Sequence, residues 1–182
     1  MPMPNFLLTK PPGKLLFALL LGLCSALPVR AAYAQEISEY GMKAVLFYRL
    51  AQFVYWPGGE AAPKPTVLCV VGKNPFASSA LQLRQGSNEQ IEMRVAPSDL
   101  NGCHLLFIAR SESGNLDSWL TRLEGKRVIT VSDIPGFAKA GGMIELPLEG
   151  DHVGILINRG SAAKKGLDFN AQLLRLAKTV TP

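Results

Sequence analysis

The sequence predicts an α/β fold: a single three-layer domain with a mostly parallel, mixed sheet flanked by helices. Three observations lead there. The runs Thr66–Val71 (TVLCVV) and Cys103–Ile108 (CHLLFI) are short and apolar throughout, as strands buried on both faces are. Such runs alternate with segments of helical character, the pattern of parallel sheets covered by helices. Two later runs, Met143–Leu148 and His152–Ile157, are joined by Glu149-Gly150-Asp151 and read as a β-hairpin, which places an antiparallel element in the sheet.

In chain order, residues 1–34 read as a secretory signal peptide. Lys10 and Lys14 form a basic start, Leu15–Leu23 an apolar core, and Ala32-Tyr33-Ala34 a small-residue cleavage site. The apolar run is shorter than the roughly 20 residues a spanning helix needs. An uncleaved anchor, or a lipoprotein cut before Cys24, are the competing readings. Cleavage after Ala34 leaves residues 35–182 as one domain. It removes Lys10, Lys14 and Arg30 and no acidic residue, so the formal charge falls from +5 to +2. With no long Lys/Arg run, nucleic acid is excluded as a partner class.

Glu36–Tyr55 has helical periodicity, with Tyr40, Ala44, Phe47, Tyr48, Ala51 and Val54 on one stripe, and Trp56-Pro57-Gly58-Gly59 ends it. Thr66–Val71 is the first strand. Pro75–Arg84 reads as a helix with proline in its first turn. Ile91–Val95 alternates like a half-buried strand. Cys103–Ile108 is followed by a helix at Leu116–Leu123 and a strand at Arg127–Val131. After the hairpin, Ala162–Lys165 is helical, and Asn170 caps a final helix at Ala171–Lys178. No repeat, linker or low-complexity tract divides the domain.

Loss of Cys24 with the signal leaves Cys69 and Cys103, an even count in an oxidising compartment. A disulfide is the leading reading. Two inert buried thiols, or a redox-sensing pair, are the alternatives.

Ligands of open parallel sheets gather at the carboxyl ends of strands. Three such ends bring Lys73, Asn74, Arg110, Ser111, Ser132 and Asp133 toward one crevice, a set suited to a small polar ligand. The same residues do not make a catalytic set. No Gly-x-Ser-x-Gly elbow, Walker loop or Gly-x-Gly-x-x-Gly turn is present. His104 and His152 lie in or beside apolar strands, away from the crevice, and the cysteines lack metal-ligand spacing, so neither a metal nor another cofactor is expected. Asp133 with Ser132 would be the pair for a hydrolase, but neither has a visible orienting group. Asp133 is read instead as a cap for the turn at Ile134-Pro135. In the same stretch, Pro135-Gly136 punctuates a strand end, Phe137 anchors into the core and Gly141-Gly142 allows a tight reversal.

Several segments, in order, resemble one family. Val131-Ser132-Asp133-Ile134-Pro135-Gly136-Phe137-Ala138 followed by Gly141-Gly142-Met143-Ile144 looks like the signature of the YfiR family of bacterial periplasmic proteins. Glu39-Tyr40-Gly41-Met42-Lys43-Ala44 through Phe53-Val54-Tyr55-Trp56-Pro57 resembles its opening helix. Leu68-Cys69-Val70-Val71-Gly72 with Asn74-Pro75-Phe76 resembles its first strand and turn, and Cys103-His104-Leu105-Leu106-Phe107-Ile108 its cysteine-led strand. Ile157-Asn158 and Leu173-Leu174-Arg175-Leu176-Ala177 resemble its ending. The resemblance spans residues 36–180.

The resemblance implies a regulator rather than an enzyme: a periplasmic protein that binds and represses an inner-membrane diguanylate cyclase of the YfiN type, or a related sensor, lowering cyclic-di-GMP and biofilm formation. An outer-membrane YfiB-like lipoprotein is the further partner it implies, and it is compatible with a homodimer. Cys69 and Cys103 fall where members commonly carry a disulfide. The namesake's second pair has no counterpart here. Tyr55 and Trp56, at the end of the first helix, are the residues expected to anchor a partner. A periplasmic small-molecule binding module that feeds a membrane sensor through the crevice is the alternative.

Overall fold

The computed structural model describes residues 38–77, 79 and 90–180. Its centre is a seven-stranded sheet in the order β3-β2-β4-β5-β6-β9-β11. The strands are β2 (Thr66–Val71), β3 (Ile91–Val95), β4 (Leu105–Ile108), β5 (Ile129–Ser132), β6 (Ile144–Glu145), β9 (Leu156–Asn158) and β11 (Lys178–Val180). All neighbours are parallel except β6 and β9, so the sheet is mixed and mostly parallel, as the sequence predicts.

The unbroken apolar character of β2 and β4 follows from burial on both faces. Leu68 and Val70 of β2, with Leu105 and Phe107 of β4, face a core built with α1 (Glu39–Leu50). Val67, Cys69 and Val71, with Leu106 and Ile108, face a second core with Leu123, Ile134 and Phe137, against which Leu116, Trp119 and Leu120 of α2 (Leu116–Arg122) pack. Period-two alternation thus serves two cores at once, and the three-layer arrangement results. Phe47 of α1 reaches across to Phe107 of β4 (centroids 5.5 Å apart) and stacks on Phe76 (5.7 Å).

Local signals explain the element ends. The Ser38 side chain accepts from the Gly41 N–H and starts α1, while Asn158 and Asn170 cap α3 (Arg159–Ala163) and α4 (Ala171–Leu176) in the same way. The helix expected to run to Tyr55 ends at Leu50, passes through a 3₁₀ turn at Ala51–Phe53 and becomes β1 (Val54–Tyr55). β1 forms because Val54 and Tyr55 pair with Phe169 and Asp168 of β10 (Asp168–Phe169), more than a hundred residues on. The final helix likewise stops at Leu176, and Lys178–Val180 adds beside β9 as the edge strand β11. The expected hairpin is present: β7 (Leu148–Glu149) pairs with β8 (His152–Val153) around Gly150-Asp151, and its base continues as the antiparallel β6–β9 pair. Most of the helix expected at Pro75–Arg84 lies outside the described residues.

A disulfide joins Cys69 of β2 to Cys103, two residues before β4, with Cα atoms 5.9 Å apart. It fastens β2 to the segment that leads into its neighbour β4. Among the described residues, no helix is long and apolar enough to cross a membrane.

Candidate functional site

The chain reverses its direction of growth across the sheet at β2: β3 is laid on one side, and β4, β5 and β6 on the other. Loops leaving β2 and β4 therefore diverge at their carboxyl ends, opening a crevice where ligands of such sheets bind. A cavity of about 520 Å³ occupies this place, walled by Tyr40, Pro75 and Ala109 and carrying Lys73, Asn74, Arg110 and Ser111. Four of the six crevice residues expected from the sequence thus come together, with Tyr40 added from α1.

The turn after β2 is held tightly. Gly72 has φ +81°, and a Cβ there would sit 2.6 Å from the Ser111 hydroxyl oxygen and 2.8 Å from Cγ of Glu112. Only glycine tolerates both the conformation and the approach. The Ser111 hydroxyl accepts from the Lys73 N–H at 2.8 Å, and Asn74 Oδ1 accepts from the Phe76 N–H at 3.0 Å. Glu112 is occupied elsewhere, accepting from the Trp119 indole at 2.8 Å.

The other two expected residues lie at the next strand end and do not line the cavity. Ser132 is fully buried; its hydroxyl donates to the Ile108 carbonyl at 2.7 Å and accepts from the Ile134 N–H at 3.0 Å. It ties β5 to β4 and caps the Ile134-Pro135 turn, the task the sequence reading gives to Asp133. Asp133 instead forms a buried ionic cluster. Its Oδ2 lies 3.1 Å from Lys43 Nζ and 3.1 Å from Arg110 Nη2, and accepts from the Tyr40 hydroxyl at 3.0 Å. Lys43 also pairs with Glu39, one helical turn back. The Lys43 and Asp133 side chains are both fully buried, while Arg110 is half exposed. Burial, and next the Asp133 charge, raise the Tyr40 phenol above its ordinary value, which keeps it a donor.

The cluster bolts α1 to the carboxyl ends of β4 and β5. A fully buried lysine is tolerated only when paired, so this cluster decides where α1 sits. Sequence reading misses Lys43, Glu39 and Tyr40 as site residues. One signal for Lys43 exists: three after Tyr40 and four before Phe47, it falls on the apolar stripe of the helix.

The loop between β5 and β6 is a braced turn. The buried Glu145 carboxylate accepts from the N–H groups of Gly136 and Ala138, both at 3.0 Å, and Asn158 Nδ2 donates to the Ala138 carbonyl at 2.7 Å. Phe137 is fully buried as expected, and a Cβ on Gly142 would overlap its ring. These residues shape the backbone rather than present a reactive group.

Tyr55 and Trp56, expected together as partner anchors, are separated by the fold. Tyr55 is 48 % exposed, whereas Trp56 is 7 % exposed and packs edge-on against His104 at 5.6 Å between centroids. Trp56 is therefore revised to a core residue, and Tyr55 keeps the surface. His104 is structural too: its Nδ1 accepts from the Val67 N–H at 2.9 Å, and burial, then the Arg94 charge, lowers its pKa. Among the described residues, no group of three His, Cys, Asp or Glu side chains could hold a metal. A larger cavity, about 700 Å³, opens between the end of α2 and the turn after α3. It lies away from the β2–β4 strand ends, and Lys165 on its wall spends its ammonium on the Leu123 carbonyl at 2.8 Å. The smaller cavity is the candidate site because of its place in the topology.

A family model described as YfiR/HmsC-like matches residues 40–178. The match takes in α1 from Tyr40 onward, the sheet as far as the start of β11, and every residue lining the cavity. The chain belongs to this family. No curated protein matches it.

Proposed function

We propose that this protein is a periplasmic regulator that binds and represses an inner-membrane diguanylate cyclase, or a related sensor, and so lowers cyclic-di-GMP and biofilm formation. The observation that carries the reading is the YfiR/HmsC-like match over residues 40–178, which supports a periplasmic regulator of cyclic-di-GMP signalling in general. The chemistry agrees. The strongest charge cluster pairs cations with carboxylates, and Ser132 is consumed by backbone bonds, so the site holds parts in place rather than activating a nucleophile. The Cys69–Cys103 disulfide suits an oxidising compartment, which accords with an exported protein whose signal peptide ends at Ala34. On this reading a membrane cyclase of the YfiN type is the target, and a YfiB-like outer-membrane lipoprotein relieves the repression by competing for the regulator. The exposed Tyr55, next to the Pro57-Gly58-Gly59 turn, is the anchor proposed for the target.

The test is the cyclic-di-GMP content of the source bacterium with the gene deleted and restored. A rise on deletion, reversed by the restored gene, is the expected result. An unchanged or lower level would refute repression of a cyclase.

A further inference from the structure

The β2–β4 cavity has a chemical bias of its own. Among the described residues Arg110 uses only Nη2, toward the Asp133 carboxylate at 3.1 Å, the Asp133 carbonyl at 3.2 Å and the Glu39 carboxylate at 3.8 Å. Among the described residues, its Nε and Nη1 donate to no protein group. The same holds for the Lys73 ammonium and the Asn74 amide nitrogen, since only the Lys73 backbone N–H and the Asn74 Oδ1 are engaged. The Ser111 hydroxyl accepts one bond and keeps its proton to give. Four side chains on one cavity thus carry spare donors, two of them cationic. Among the described residues the nearby carboxylates are engaged: Asp133 through Oδ2 to Lys43, Arg110 and Tyr40, with only its buried Oδ1 unpartnered, Glu39 to Lys43 and, at 3.8 Å, to Arg110 Nη2, and Glu112 to Trp119. Among the described residues the remaining wall, from Tyr40, Pro75 and Ala109, is largely apolar.

We propose that this cavity binds a small amphipathic anion, a carboxylate or a phosphate monoester carried on a flat apolar group. The anionic head takes the free edge of Arg110 together with Lys73, and Ser111 and Asn74 complete its shell. A guanidinium edge matches two oxygens of either head group, and charge-assisted bonds of this kind are the strong ones. The apolar body lies against Tyr40 and Pro75. A volume of about 520 Å³ falls in the range of small-molecule sites. Such a ligand touches α1 through Tyr40 and the ionic cluster through Arg110, so its binding bears on how firmly α1 is held.

The experiment titrates the purified, oxidised protein with phenylacetate, phenyl phosphate and, as the neutral control, phenylacetamide, following backbone amide NMR shifts. The expected result is saturable binding of at least one anion, with the largest shifts at Lys73, Asn74, Ala109 and Ser111. The better of the two anions identifies the head group. Phenylacetamide should bind about tenfold more weakly or not at all, the loss of one charge-assisted bond at a half-exposed site. Lys73→Gln, whose ammonium has no partner among the described residues, should retain the fold and weaken the anion by a similar factor; Ser111→Ala should weaken it less. No saturable shift from either anion up to about 10 mM, a dissociation constant weaker than any specific small site needs, would overturn the proposal. So would equal binding of the amide, shifts centred away from these loops, or unchanged affinity in Lys73→Gln.

Discussion

Removing the ammonium of Lys43 while keeping its stem, as in Lys43→Met, tests whether the buried cluster fixes α1. In the native protein the Lys43 and Asp133 side chains are both fully buried and 3.1 Å apart. The variant leaves the Asp133 carboxylate with Arg110 Nη2 at 3.1 Å and the Tyr40 hydroxyl at 3.0 Å, and leaves Glu39 with Arg110 Nη2 at 3.8 Å in place of its partner one turn away. Removing one member of a buried pair costs about 3–5 kcal/mol. The half-exposed Arg110 still offsets part of the carboxylate's charge, so the lower end, about 3 kcal/mol, is expected. For a domain of this size that corresponds to a melting temperature lower by roughly 6–12 °C. Asp133→Asn should cost a similar amount, because it leaves the buried ammonium with Glu39 as its only carboxylate. The double variant should lose far less than the sum, since replacing a whole buried pair with neutral groups is close to neutral. The assay is urea unfolding followed by the fluorescence of Trp56 and Trp119, run as a double-mutant cycle. A Lys43→Met protein within about 0.5 kcal/mol of the parent, the ordinary scatter of surface changes, would refute the reasoning. Strictly additive single and double variants would refute it as well.

The remaining predictions are smaller in scope. Cys69→Ser/Cys103→Ser should lose about 4 kcal/mol, the chain entropy released when a cross-link spanning 34 residues is removed, and urea midpoints of oxidised parent and variant measure it. His104 has a lowered pKa in the fold, so the unfolded chain binds its proton more readily; its contribution is complete above about pH 6.5 and falls away as the pH drops toward the folded value. Replacing His104 with Asn should flatten the stability profile below about pH 6.5, read as urea midpoints from neutral pH downward. Trp56→Ala should cost about 3–5 kcal/mol as a core truncation, whereas Tyr55→Ala should leave the melting temperature nearly unchanged and weaken binding to the purified periplasmic portion of the target cyclase.

The parts of the fold legible in the sequence are those whose signal is local. TVLCVV and CHLLFI read as doubly buried strands because each face needs apolar side chains, and Asn170 marks a helix start through a bond made within three residues. Ser38 and Asn158 cap in the same way, but sequence reading misses them as caps. The hairpin is legible because its turn lies between its strands. By contrast, β1, β10 and β11 have two or three residues each and exist only through partners elsewhere in the fold. No periodicity can accumulate in so short a run. The candidate site divides along the same line. Lys73, Asn74, Arg110 and Ser111 could be placed because they directly follow strands. The role of Asp133 could not, since its counter-ion is 90 positions away and on another element. Ser132 takes the capping task expected of Asp133 for a simple reason: its short hydroxyl reaches the Ile134 N–H two residues on, which frees the Asp133 carboxylate for α1.

The 90-residue separation of Lys43 from Asp133 also has a consequence in time. Until β5, which carries Asp133 at its end, has joined the sheet, α1 carries an ammonium on the very face that must later be dry. Among the described elements α1 is therefore one of the last to dock. Kinetic analysis of Lys43 variants should accordingly find faster unfolding with little change in folding rate, because their bonds form only after the sheet that receives them.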